Sequence, residues 1–117
     1  MDYKFINTEY LDSVSGGDNN MIREIVEMFR EQVVEFQNEM KTLLAEKKYH
    51  TLGLLAHKAK SSVAIMGMAD LASMLKTFEL QAKEGLEADK YESYIARFAN
   101  ETDGAVKELD DLINNRL

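Results

Sequence analysis

Cysteine, proline and tryptophan are absent from this chain of 117 residues, and glycine appears only six times. Without cysteine there are no disulfides, thiol nucleophiles or thiolate metal sites, which fits a reducing compartment. Without proline, nothing in the chain interrupts long helices. No apolar run approaches the roughly 20 residues of a membrane span. The start, Met1-Asp2-Tyr3-Lys4, has neither the basic nor the apolar region of a signal peptide. Basic residues are in the minority, with 14 Lys and Arg against 21 Asp and Glu and a formal net charge of -7, so clustered contacts to a phosphate backbone are not expected. Together these absences predict a cytoplasmic chain that engages neither membrane nor nucleic acid.

What the sequence does contain is 45% hydrophobic residues over a length that suits one domain, residues 1–117, with a single core. Met1 to Ile6 reads as extended or frayed, and Asn7 or Thr8 can cap a short helix carrying Tyr10, Leu11 and Val14 that Gly16-Gly17 ends. Asp18 stands at an N-cap position. After it Ile22, Ile25, Val26, Phe29, Val33, Phe36, Met40, Leu43 and Leu44 repeat at near-heptad spacing, predicting a long amphipathic helix to about Glu46. Its other face, with Arg23, Glu24, Glu27, Arg30, Glu31, Glu35 and Glu39, reads as a solvated surface. Lys47-Lys48-Tyr49 turns into the next helix with no good N-cap residue.

A fourth segment, from about Asp70 to Gly85, buries Leu71, Met74, Leu75, Phe78 and Ala82. Asp89 and Glu92 have capping-box spacing ahead of a last helix. That helix turns Tyr91, Ile95, Phe98, Thr102, Ala105 or Val106, Leu109 and Leu112 inward and frays near Asn114-Asn115. Four long helices with one-sided stripes and short turns predict an all-α antiparallel four-helix bundle with a short additional N-terminal helix. Of the methionines, Met28, Met40, Met66 and Met74 lie on or beside the stripes and read as core filling.

The third segment is the unusual one. Leu52, Leu55, Ala59, Val63 and Met66 form its core stripe. Roughly opposite lie Gly53, His57, Lys60, Ser61 and Ala64, so an imidazole and an ammonium stand among residues with almost no side chain. Solvated helix faces are normally dense in Glu, Lys and Gln, whereas this one leaves room for another protein to come close. A P-loop, H-E-x-x-H and G-x-S-x-G are all missing. Neither His50 nor His57 has the Glu three positions earlier that di-iron bundles require. The two histidines are seven residues apart, about 10 Å along a helix and too far to share a metal directly, and His50 reads as a surface residue. A neutral imidazole is a competent nucleophile near neutral pH, and Lys58 and Lys60 can attract a phosphoryl group, with Lys60 one turn from His57.

Ala56-His57-Lys58-Ala59-Lys60-Ser61-Ser62, then Gly67, Leu71-Ala72 and Phe78-Glu79, resembles the signature of histidine-containing phosphotransfer (HPt) domains. The resemblance extends from Tyr10 to Leu112 and includes the Gly-Gly-Asp turn. It implies that His57 accepts a phosphoryl group on its outer ring nitrogen from a receiver-domain phospho-aspartate and passes it to another receiver's aspartate. It implies that Lys60 steadies the phosphate and that Glu79 accepts a hydrogen bond from the inner ring nitrogen. Ser61, Ala64, Gly67 and Gly53 would permit close packing and docking, with Lys58 and Lys83 as docking cations and apolar contacts from Val14, Ile22 or Met68. Two positions depart from the pattern: Ser61 replaces the usual Gly after the Lys, and the usual acidic residue at the start of the His helix is missing, with Lys48 nearby instead.

On this reading the chain is a phosphoryl carrier and not an enzyme, a monomer with no bound cofactor. Mg²⁺ would be held by the partner receiver, and the partners would be response-regulator receivers and a hybrid sensor histidine kinase. A chain that begins at Met1 and ends soon after its last helix suits a separate carrier. Two alternatives stay open: a non-catalytic helical adaptor that binds through the His57 face, and a phosphate-accepting domain labelled directly by the ATP-binding domain of a chemotaxis-type kinase.

Overall fold

The structure is a computed structural model describing residues 3–116. Met1 and Asp2, part of the stretch expected to be extended, and Leu117, the last residue of the expected domain, lie outside the described residues. The helices are α1 (Thr8–Ser15), α2 (Asn19–Ala45), α3 (Tyr49–Ile65), α4 (Ala69–Lys83) and α5 (Tyr91–Arg116), with a 3-10 turn over Ala88–Lys90. Among the described residues there is no strand. The helices α2 to α5 pack in a ring, each against the next and α5 back against α2, while α1 lies on α2 and α3. An all-α antiparallel four-helix bundle with a short N-terminal helix results, elongated to 43 × 20 × 20 Å.

The local signals act as their chemistry dictates. The Asn7 side chain accepts from the Tyr10 amide, and the Asp18 carboxylate accepts from the Asn20 and Met21 amides, so α1 and α2 begin on side-chain caps. Gly67 follows α3 at φ 75, a conformation that a side chain disfavours, and turns the chain into α4. The start of α3 at Lys48 has no side-chain cap. The last helix differs from expectation at both ends. Asp89 sits inside the 3-10 turn, which the chain enters through Glu87 at φ 61, and α5 continues through Asn114-Asn115 to Arg116.

The predicted stripes meet in one core where Ile22, Leu52, Phe78, Tyr91, Phe98 and Leu109 are fully buried. Tyr91 stacks edge-on against Tyr49, and its hydroxyl donates to the Gln81 carbonyl, satisfying the end of α4. The buried Thr102 donates to the Phe98 carbonyl and accepts from Gln37 Nε2, so its polar atom is satisfied. One core assignment is corrected. Met40, Met66 and Met74 are buried, but Met28 is 59% exposed, because it projects beside the stripe rather than along it.

The N-terminal stretch, read as extended or frayed, is non-helical over its described residues and is tied down as a strap. The Glu108 carboxylate accepts from the successive amides of Lys4, Phe5 and Ile6 at 2.8 to 3.0 Å. The Phe5 ring fills the place where a Cβ on Gly104 would stand, and the Asn7 amide donates to the Met66 carbonyl. The strap thus joins the end of α3 to α5. Replacing Glu108 by Ala leaves these amides without their acceptor and is expected to cost about 1–3 kcal/mol. Hydrogen exchange should then accelerate at Phe5 and Ile6 before it does in α2, and unchanged exchange there would rule the strap out.

Candidate functional site

His57 lies in the middle of α3, and Glu79 faces it from one turn before the end of α4. The imidazole side chain is 55% exposed while the carboxylate opposite it is 4% exposed, with His57 Nδ1 3.0 Å from Glu79 Oε1. The second oxygen, Glu79 Oε2, accepts from Lys83 Nζ at 2.7 Å, one turn further along α4. The Lys83 hydrogen bond is the largest influence on this carboxyl; burial opposes it and the His57 contact assists it, and the pKa is lowered from 4.5 to about 2. At neutral pH Glu79 is therefore an ionised acceptor with no proton to give. Nδ1 must be the donor, and in the neutral ring the lone pair then resides on Nε2.

This triad requires α3 and α4 to approach closely, and Gly53 allows it. A Cβ on Gly53 would lie 2.9 Å from Lys83 Cγ and 3.0 Å from both the Glu79 carbonyl oxygen and the Lys83 amide nitrogen. Gly53 was read from the sequence as part of an open row for a visiting protein. It is instead buried, because α4 covers it. Lys83, read as a docking cation, has its ammonium turned onto Glu79 while its side chain stays 32% exposed.

The remaining expected residues are spread around the ring. Lys58 and Ser61 are exposed, and Lys60, Ala64 and Gly67 are half-buried, Gly67 with Asn7 against it. Ser62 donates to Gln32 Oε1 at 2.8 Å and ties α3 to α2. Between these helices runs a groove of about 490 Å³ that borders His57, Lys58 and Ser61 on one side and Ile25, Met28 and Phe36 on the other. Of the three apolar residues expected at a docking surface, Val14 is exposed, whereas Ile22 and Met68 are buried in the core. The groove residues Met28 and Ile65 were missed; for Met28 the period of α2 could not separate an edge position from a core one, and Ile65 is the last residue of α3. His50 is exposed, with Nδ1 3.4 Å from the Lys83 carbonyl oxygen. Among the described residues no group of His, Cys, Asp or Glu is arranged to hold a metal ion, and no helix is long and apolar enough to cross a membrane.

The family model for the Hpt domain matches residues 24–115, a range that contains the whole triad. The chain belongs to the Hpt domain family. No curated protein and no solved structure matches it. Hpt domains serve phosphotransfer in two-component signalling, as carriers, and interact with the receiver domains and kinases of phosphorelays. The all-α bundle described above is typical of Hpt domains.

The depressed carboxyl gives a pH signature. The stabilisation from Glu79 is complete above its ordinary value of 4.5 and is lost as the pH falls through the folded value of about 2. The advantage in thermal midpoint of wild type over Glu79→Gln should therefore shrink across that window. Midpoints that stay parallel would show that Glu79 is not held as described.

Proposed function

We propose that this Hpt domain is a phosphorelay intermediate in which His57 accepts a phosphoryl group from a receiver phospho-aspartate and returns it to the aspartate of another receiver. The observation that carries this reading is the His57–Glu79 contact, which in the neutral ring puts the lone pair on Nε2 of an exposed imidazole. In the forward step Nε2 forms a bond to phosphorus as the aspartyl oxygen–phosphorus bond breaks, and the carboxylate departs with the electron pair. No proton leaves the ring. The product is a cationic phosphoimidazole that keeps its Nδ1 proton, and the Glu79 carboxylate beside that proton stabilises the new charge. The reverse step needs the same arrangement.

Lys60, one turn from His57, is suited to meet the phosphoryl oxygens, and Lys58 adds positive charge beside the groove. The receiver would bring the Mg²⁺ and acidic pocket that the loose in-line transition state requires, while this chain contributes a fixed nucleophile. The groove along α2 with Met28, together with the exposed Ser61, offers a receiver an apolar landing beside the ring. A hybrid sensor kinase is the proposed upstream partner, with the chain acting as a monomer in the cytoplasm. These assignments suit a short-lived complex, because one receiver must leave before the next arrives.

His57→Gln should retain the fold, since the residue is exposed and the new amide can still donate to Glu79. Incubation with a receiver bearing labelled phosphate should give an acid-labile, base-stable label in wild type and none in the variant. Label kept by the variant would refute His57 as acceptor, and a wild type that binds the receiver but takes no label would be an adaptor. Lys60→Ala should slow transfer by up to on the order of 100-fold without unfolding the protein. Equal rates in both directions would remove Lys60 from the reaction.

A further inference from the structure

A carboxylate as sheltered as Glu79 needs a compensating positive charge, and two groups stand close enough to provide it. His57 Nδ1 contacts one oxygen at 3.0 Å and Lys83 Nζ contacts the other at 2.7 Å. Were the imidazole the sole counter-ion, it would be driven to take a second proton, and the Nε2 lone pair would disappear. We propose that Lys83 is a positioning residue that supplies the counter-charge of Glu79, so that the carboxylate orients the His57 ring without protonating it. The proposal rests on His57 being the phosphoryl acceptor.

The surroundings of Lys83 favour this role over a solvated one. Its stem passes over the missing side chain of Gly53, where a Cβ would come within 2.9 Å of Cγ, so the backbone of α3 sets its path. Its side chain is 32% exposed, and its ammonium donates to Glu79. The other charged and titratable groups do not take over the task. On α3, Lys58 is exposed and Lys60 half-buried, while His50 lies by the Lys83 carbonyl oxygen. On α4, Lys76 is exposed, one turn before Glu79. From α2 the groove beside His57 is faced by Ile25, Phe29, Gln32 and Phe36, all uncharged. From α5 the Tyr91 and Tyr94 hydroxyls donate to the Gln81 carbonyl and Gln81 Oε1.

The test compares wild type with Lys83→Met, Lys83→Arg and the pair Glu79→Gln with Lys83→Met. Two readouts are taken across pH: the rate of phosphoryl acceptance from one labelled receiver, and the ¹⁵N spectrum of the unphosphorylated His57 ring. In Lys83→Met the pH–rate profile should move alkaline by about one unit, with a rate loss that approaches about tenfold on its acid limb, and a larger share of rings should carry both protons. Lys83→Arg should restore both readouts. The double variant should remove the displacement whatever its absolute rate, because no buried charge remains to be balanced. An unmoved profile and ring spectrum in folded Lys83→Met would overturn the proposal, and so would a displacement that persists in the double variant. If Lys83→Met does not fold, Lys83→Gln, which can donate without bringing charge, carries the same comparison. A wild type that takes no label would defeat the acceptor reading instead, and the ring spectra would still decide what Lys83 does.

Discussion

One ionised carboxylate between two helices sets the terms for the rest of the molecule. Glu79 is almost wholly shielded and is held in its charged form by Lys83, with His57 on its other oxygen. Such a group is costly in a bundle core unless both oxygens are satisfied. Satisfying them fixes the separation and rotation of α3 against α4, and that separation fits only a residue without a side chain at position 53. Packing, backbone and chemistry are therefore coupled at one point. The hydrocarbon core formed by Leu52, Phe78 and Tyr91 surrounds that point and keeps the helices from shifting around it.

The sequence made the bundle legible because it depends on periodicity, and periodicity needs no partner to be seen. The stripes of α2 to α5, the Asp18 cap and the Gly67 turn follow from residue type and spacing alone. What escaped were features that exist only between elements distant in the chain. The strap of residues 4–6 has no local signal, since its acceptor is Glu108 and its notch is Gly104. Gly53 was placed on the right helix and in the row opposite the core stripe, but a single sequence does not say that α4 occupies that row. Lys83 fell one turn from Glu79, a spacing that permits an ion pair without requiring one. Met28 shows the limit from the other side, because a long helix drifts against its stripe and leaves edge residues that resemble core ones.

The site differs in kind from the scaffold. Lys58 and Ser61 are exposed and could be changed without altering the bundle, whereas His57, Glu79 and Gly53 belong to both. This division suits the role proposed for the domain, the presentation of one ring in one orientation. A helical support rich in local contacts can do this without the loops and lids that an enzyme uses to close around its substrate.

The uncharged wall of α2 beside the ring bears on how long a phosphorylated state would last. Breakdown by water is fastest where a nearby base can draw a proton from the attacking molecule. Among the described residues no carboxylate lines that groove, and Glu79, in contact with His57, is engaged on both oxygens. A P–N bond formed there would be exposed to solvent yet lack local help for its hydrolysis, so its lifetime would be governed by how soon a receiver arrives.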